Sequence, residues 1–275
     1  IRDIIAENWQ KSRAQLSRQI CETLEWRSPN GMLKDVSCRV VLLRLHRKGR
    51  IQLPEAQKRR CSRVQKGSTR KQKAVGEGVG GELSELGEIR IIKVDRGDRK
   101  RYREWKEMMD EYHYLGSGPL CGYQMKYLIE SEGYGSVGGF AFSSAAWKLE
   151  ARDKWIGWDE GRRQENLSKV VGNSRFLIVP WVRVRNLASH ALSMCIRQME
   201  EDWYEQYKIR PVLLETFIER ERFRGSSYRA SNWVHIGGTK GRGRQDRCNE
   251  YRESIKDIYV YPLDNDFREE LCKGM

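Results

Sequence analysis

Glu215 stands where a carboxylate must either do chemistry or be neutralised. It follows Val212-Leu-Leu214 in an apolar run, and a lone charge buried in such a run is costly, so it must face a polar cleft or be paired. In a cleft it is a general base for an amine or a base nitrogen. Paired, it is a structural partner for Arg175 or Arg229, and the sequence leaves the two readings open. Tyr228, Asn232, Tyr114 and His113 are expected to reach the same cleft, which gives a candidate catalytic set of five residues with Glu215. Tyr114 or Tyr228 would protonate a leaving group, although tyrosines more often pack with a satisfied hydroxyl. The run Tyr228 to Trp233 opens the element after the strand that carries Glu215, so Glu215, Tyr228, Asn232 and Trp233 are expected to converge.

A second chemistry is phosphate binding. The apolar run from Phe176 to Val184, broken by Pro180, predicts a strand. From Asn186 onward Leu187, Ala191, Leu192, Cys195, Ile196 and Met199 recur at helical spacing to about Tyr207. A helix start offers unpaired amides and the positive end of a dipole, so Arg183, Arg185, Asn186, Ala188 and Ser189 form a candidate phosphate seat. An ordinary turn with Asn186 as the helix cap accounts for the same residues. The segment Thr239 to Arg247 is too rich in glycine and arginine for a core. It predicts a mobile basic loop in which Arg242, Arg244 and Arg247 meet phosphates while Trp233 stacks on an unpaired base. Phosphodiester cleavage at two metal ions would need gathered carboxylates. Asp95, Asp98, Asp153, Asp159, Glu160 and Glu215 define no strand-borne triad, so nuclease or transposase chemistry ranks below a transfer reaction. The four histidines and seven cysteines show no metal-ligand spacing, so no metal site is indicated, and the sequence defines no cofactor.

The elements that must position these groups begin near Gly87. A strand at Ile89 to Val94 precedes a helix from Arg99 to Tyr112 with Tyr102, Trp105, Met108 and Met109 inward, then the aromatic turn Tyr112-His-Tyr-Leu-Gly116. Strands at about 122–130 and 136–142 form a hairpin around Glu132-Gly133. A short helix at 143–149 and a polar helix around 159–170 follow. After the central strand and long helix come a strand from Pro211 to Phe217, a turn at Arg222 to Ser227, and strands at Trp233 to Ile236 and Ile258 to Tyr261.

Upstream, residues 1–57 read as a helical unit. Ile4, Ile5 and Trp9 mark one helix; Ser12 caps a second in which Leu16, Ile20 and Leu24 share a face; Val36, Val40, Leu43 and Leu45 line a third; and Ile51 to Leu53 predicts a short strand after a basic turn. Three helices and a basic β-turn resemble a winged helix-turn-helix, in which Lys34, Arg39, Arg44, Arg47 and Lys48 would face DNA. A helical module that binds protein is the alternative. Residues 58–73 hold eight cations and no acid, and a glycine-rich run follows, so 58–86 is expected to be a basic flexible linker. Charged residues make up 33% of the chain and the formal net charge is +14, a surplus that favours polyanions, with DNA, double- or single-stranded, as the expected partner. Unpaired cysteines point to reduced thiols, and no apolar run approaches the roughly 18 residues that span a bilayer, so a cytoplasmic protein with no membrane partner is expected. Without Met at position 1, the native start is expected upstream.

Strand, helix, hairpin, strand, long helix, strand and closing strands resemble the order of a GNAT-like acyltransferase domain. The expected architecture is therefore α/β: a winged-helix-like domain at 1–57, the linker, and a GNAT-like mixed-sheet domain at 87–275. That resemblance implies an acyl-CoA pyrophosphate on the turn resembling Arg/Gln-x-x-Gly-x-Gly/Ala. Here the turn reads Arg183-Val-Arg-Asn-Leu-Ala188, with Asn186 in place of glycine, which predicts weak or no acyl-CoA binding. Longer strings are more specific: Tyr112-His-Tyr-Leu-Gly116, Phe142-Ser-Ser-Ala-Ala-Trp147, Asn173-Ser-Arg-Phe-Leu177, Asn186-Leu-Ala-Ser-His190, Leu214-Glu-Thr-Phe217, Tyr228-Arg-Ala-Ser-Asn-Trp233 and Lys256-Asp-Ile-Tyr-Val-Tyr-Pro262. Together they resemble the DruA proteins of the Druantia anti-phage defence system, whose members are also labelled transposases. The resemblance implies a DNA-binding and DNA-processing or DNA-modifying component of prokaryotic defence or of a mobile element, with other defence proteins such as a helicase as partners. The alternative is a non-catalytic DNA-recognition subunit on a degenerate acyltransferase fold.

Overall fold

A computed structural model of the chain describes residues 1–27, 33–55, 78–95, 97–241 and 254–274. The chain divides into two compact units, Ile1–Thr69 and Arg70–Met275.

In the first unit, α1 (Arg2–Glu7), α2 (Arg13–Thr23) and α3 (Asp35–Arg47) surround a small core of Ile5, Ile20, Cys21, Cys38, Leu42 and Leu53. Ser12 starts α2 with a capping box: its hydroxyl accepts from the Gln15 amide, and the Gln15 side chain accepts from the Ser12 amide. The third helix differs from expectation. Cys38 and Leu42 face inward, whereas Val36 and Val40 are 62% and 46% exposed. The helix carries two apolar stripes, and the Cys38 stripe wins because it meets Ile20 and Cys21; burial, with Cys21 beside it, pushes the Cys38 thiol up to about 12. No strand forms at Ile51 to Leu53. Leu53 drops into the core instead, and His46 Nδ1 lies 3.2 Å from the Ile51 carbonyl oxygen, so the described residues make a three-helix unit that keeps the basic turn at Lys48 and Gly49 but lacks the expected strand.

The second unit is a seven-stranded mixed sheet, β2 (Ile89–Lys93), β3 (Gln124–Ser131), β4 (Gly135–Ser144), β5 (Val170–Ile178), β7 (Leu213–Glu219), β9 (Lys256–Pro262) and β8 (Val234–Gly238), in that spatial order. All neighbours are antiparallel except β5 and β7. Those two pair in parallel only from Val170 and Leu213 to Asn173 and Thr216; beyond that point both strands run on without pairing each other. Expected linker residues 78–86 are built into this unit. β1 (Val79–Gly81) pairs in parallel with β6 (Val182–Val184), and Leu86 is fully buried in the main core; 58–77 lie outside the described residues.

Helices cover both faces. Trp105 and Met109 of α4 (Arg99–Tyr112) lie over Gly139, and the Trp105 indole donates to the Phe140 carbonyl at 2.9 Å. Strand alternation turns Phe140 and Phe142 to the other face, where Tyr127 bonds Asp202 of α7 (Leu187–Tyr207) at 2.8 Å. A second cluster joins α5 (Glu150–Ile156), α6 (Glu160–Asn166) and α9 (Phe267–Cys272) through Ile156, Trp158, Val212, Leu213, Val260, Phe267 and Leu271. The helix expected at 143–149 is displaced: β4 runs through Ser144 and α5 starts at Glu150.

The close approach of α4 to the sheet depends on Gly139. A Cβ there would lie 2.7 Å from the Tyr127 carbonyl oxygen and 3.2 Å from both Met109 Cε and Trp105 Cδ1. Gly139→Ala is therefore expected to destabilise the chain by about 1–3 kcal/mol in chemical denaturation, the usual effect of overfilling a packed core.

Candidate functional site

A cavity of about 1170 Å³ opens on the α5 side of the sheet, over the level where β5 and β7 begin to part. β5 makes that level irregular. The register with β4 slips between Ala141 and Phe142, so Ser174 bulges and its hydroxyl meets that of Ser143 on the cavity wall. Tyr114 and Arg175 form another part of the wall, and Trp147, Lys148, Lys154 and Lys240 line the same space. Trp147 is 63% exposed, an unusual position for so large an apolar surface. Glu150 bridges Lys154 and Lys240, which hold its carboxyl down to about 2.

Glu215 touches this cavity but is spent on structure. Its side chain is fully buried; Oε2 lies 2.8 Å from Arg152 Nη1 and Oε1 accepts from the Ala146 amide at 2.7 Å. Arg152 is also fully buried, donating to the Ala146 carbonyl at 2.8 Å and to Asp153 through Nε and Nη2. Asp153 in turn accepts from Trp158 and Arg163. With both oxygens engaged, Glu215 is an ion-pair partner rather than a base. The partner is Arg152, however, not Arg175 or Arg229.

The expected convergence dissolves because neighbouring strand residues point to opposite faces. Glu215 faces α5. Thr216 faces the other side, where its hydroxyl donates to the Asn173 carbonyl at 3.0 Å and lies 3.5 Å from Tyr228 Oη. Tyr228, in α8 (Ser226–Ala230), is buried and donates to Asn173 Oδ1 at 2.6 Å; burial pushes its hydroxyl pKa well up, so it keeps its proton. Asn232 is an exposed turn residue at φ 62°, and Trp233 is buried edge-on against Tyr228 rather than open for stacking. His113 and Tyr114 do flank the gap between the parted strands, in a smaller hollow of about 200 Å³ with Arg175 and Tyr228. His113 Nδ1 accepts from the Leu115 amide, and burial followed by the Arg175 charge holds the ring down to about 4, hence neutral. Burial first, then Glu219, raises the Tyr114 hydroxyl.

At the phosphate turn, one expected strand is two. β5 ends at Ile178, and β6 lies against β1 before Asn186 enters α7 at φ 61°. Asn186 takes the left-handed conformation that glycine would favour and gives α7 no side-chain cap. Arg183, Arg185 and Asn186 are exposed; Ala188 and Ser189 are half-buried. Asn186 also places a side chain where the resembled acyl-CoA turn has glycine. Ser231 Oγ bonds the Ser189 carbonyl at 3.2 Å, and Tyr228 fills the gap beyond, so these residues do not fit the group. In the first unit, Lys34, Arg44, Arg47 and Lys48 are exposed, while Arg39 pairs with Asp35 at 3.3 Å. Arg242, Arg244 and Arg247 lie outside the described residues. No described helix is long and apolar enough to cross a membrane, and no described cluster of His, Cys, Asp and Glu could hold a metal ion. Sequence reasoning missed Arg152, Trp147 and the Ser143–Ser174 pair; only the exposed-type spacing of Trp147 among polar neighbours gave a signal.

Strand order and the single splayed parallel pair define a GNAT-like mixed α/β domain. Residues 44–256 match the family described as Druantia protein DruA, and the chain belongs to that family. Among solved structures it is similar to a probable acetyltransferase from Staphylococcus epidermidis, at 10% identity over 64% of this chain and 100% of that one, with a TM-score of 0.40. A putative acetyltransferase from Acinetobacter baylyi gives 12% identity over 64% and 94%, with a TM-score of 0.41. Spermidine N-acetyltransferase from Vibrio cholerae gives 7% identity over 63% and 93%, with a TM-score of 0.38. No curated protein matched the sequence.

Two outcomes follow from this geometry. Glu215→Gln is expected to lower stability by about 3–5 kcal/mol in thermal or urea melts, because it leaves Arg152 short of its buried partner; Arg152→Met with Glu215→Leu should recover most of it. A Glu215→Gln protein of unchanged stability would overturn the ion-pair assignment. His113, neutral when folded at about 4 but near 6.5 when unfolded, contributes stability that is complete above pH 6.5 and is lost as pH falls towards 4. Roughly 2 kcal/mol should disappear between pH 6.5 and 5, and His113→Asn, which keeps an acceptor for the Leu115 amide, should flatten that part of the profile.

Proposed function

We propose that the chain is a nucleic-acid-binding component of Druantia anti-phage defence that holds unpaired bases in the cavity beside α5. The exposed indole of Trp147 carries this reading. It stands at a cavity with Lys148, Lys154 and Lys240, the combination of a stacking face and phosphate cations that single-strand binding requires. A net charge of +14 gives the sign and the long-range attraction. Exposed Lys34, Arg44, Arg47 and Lys48 on the first unit add cations suited to duplex phosphates. Unpaired strand would come from opened DNA, the product of a helicase-type partner in the same defence system.

The non-catalytic reading is favoured over a transferase by the state of the catalytic set. Glu215 is neutralised, Tyr228 is buried with its proton held, Asn232 faces solvent, and Asn186 places a side chain where the acyl-CoA turn has glycine.

Filter binding of a fluorescent single-stranded oligonucleotide tests the reading. Affinity should fall with salt, Trp147→Ala should weaken it about tenfold or more at an unchanged salt slope, and Lys148→Ala with Lys154→Ala should reduce the slope. Equal affinity in wild type and Trp147→Ala would remove the cavity as the binding surface.

A further inference from the structure

Among the described residues of the second unit three arginines are buried, and only two of them have counter-ions. Arg152 faces Glu215 and Asp153, and Arg163 faces Asp153 and Glu160. Arg175 is 8% exposed and has no carboxylate partner among the described residues. Its Nε donates to the Gly116 carbonyl and its Nη1 to the Ser174 carbonyl, both at 2.7 Å. Those bonds pin the turn after α4, yet carbonyl groups do not neutralise a guanidinium, which stays charged in any protein setting. The remaining nitrogen, Nη2, has no hydrogen bond among the described residues and is not among the atoms sealed from solvent, and Arg175 lines both the large cavity and the smaller hollow. A cation buried to this degree without an anion is destabilising, a penalty that an incoming anion would offset.

The surroundings specify what kind of anion. Ser143 and Ser174 share one hydrogen between their hydroxyls, and the other reaches only a distant carbonyl, Ser144 at 3.4 Å or Gly172 at 3.5 Å, a long bond that a ligand oxygen would replace. The Tyr114 hydroxyl, held protonated by burial, lines the same space. Both carboxylates of the wall are already engaged, Glu215 by Arg152 and the Ala146 amide and Glu150 by Lys240 and Lys154. Separate guanidinium, serine and phenol donors around one opening suit a tetrahedral oxyanion with several terminal oxygens, and a guanidinium is the side chain best matched to such oxygens. We infer that Arg175, with the Ser143–Ser174 hydroxyls and Tyr114, is a receptor for a phosphate monoester. As the receptor lies in the cavity assigned above to unpaired bases, the inference deepens that reading by naming the terminal group. The phosphate can be the 5′ end of a strand or that of a free nucleotide, the same chemistry from two sources.

The full chain is titrated with inorganic phosphate and with a nucleoside 5′-monophosphate while its melting temperature is followed, with chloride at matched ionic strength as the control. Both phosphates should raise the melting temperature of the wild type, and Arg175→Met should abolish the rise. Arg175→Lys should weaken binding at least tenfold, because an ammonium cannot form the guanidinium fork. Should Arg175→Met fail to fold, Ser174→Ala with Tyr114→Phe, which leaves the Arg175 bonds intact, must weaken the response. A rise that survives in Arg175→Met, or no rise with either phosphate, overturns the assignment. The source is read from oligonucleotides: tighter binding of a 5′-phosphorylated strand than of a 5′-hydroxyl strand, lost in Arg175→Met, assigns a strand end, while equal binding alongside a nucleotide response assigns the free nucleotide. Failure of all oligonucleotide binding would sink the nucleic-acid reading and leave the phosphate response standing, so the two are separable.

Discussion

The buried pair between Arg152 and Glu215 is the constraint on which one side of the second unit depends. Neither charge can reach water, so each must be matched by geometry, and the match fixes α5 against β7 at a single position. Ala146 supplies an amide to Glu215 and a carbonyl to Arg152, which turns the chain sharply after β4. That turn throws Trp147 outward. Asp153 extends the network to Arg163 and Trp158, so α5, α6 and the strand behind them share one set of charges. A cavity bounded by this network keeps its shape through electrostatics as much as through apolar packing, for the second core cluster is small.

The parting of β5 and β7 is the second organising feature. β5 and β7, parallel neighbours joined through α7, pair along only part of their length, and pairing ends at Asn173 and Thr216. Residues just beyond this point still pair on their outer sides, Arg175 with Ala141 and Phe217 with Ile258, but lack a partner across the opening. Tyr228, Asn173 and Thr216 close one side of the opening with hydrogen bonds; Arg175, Tyr114 and His113 leave the other side hollow. Arg175 and Tyr114 line both that hollow and the larger cavity on the α5 side.

Asn186 shows how a motif can depart in sequence and hold in backbone. It sits at φ 61°, where asparagine is the side chain best tolerated after glycine, so the turn keeps its form and the start of α7 stays uncapped. Beside it Ser231, just after α8, bonds the Ser189 carbonyl, and no local motif reports on a helix that arrives forty residues later.

The sequence by itself determined the elements and their order. Helical periodicity located α4 and α7 within a residue or two, β-branched runs located β2, β7 and β9, and the charge surplus pointed to a polyanion. These depend on neighbours within a few positions, which a linear pattern records. It placed the central strand at Phe176 to Val184, whereas β5 starts at Val170 and its polar residues Gly172, Asn173 and Ser174 are held between strands on both sides, and it turned α3 the wrong way because two apolar stripes compete and only Ile20 and Cys21 choose between them. Tertiary structure alone decided the roles of Glu215, Tyr228 and Arg175. Pairing of a charge is a relation between residues far apart in the chain, sixty-three positions in the case of Arg152 and Glu215, and which of three buried arginines lacks a partner follows only once the sheet has brought some together and kept one apart.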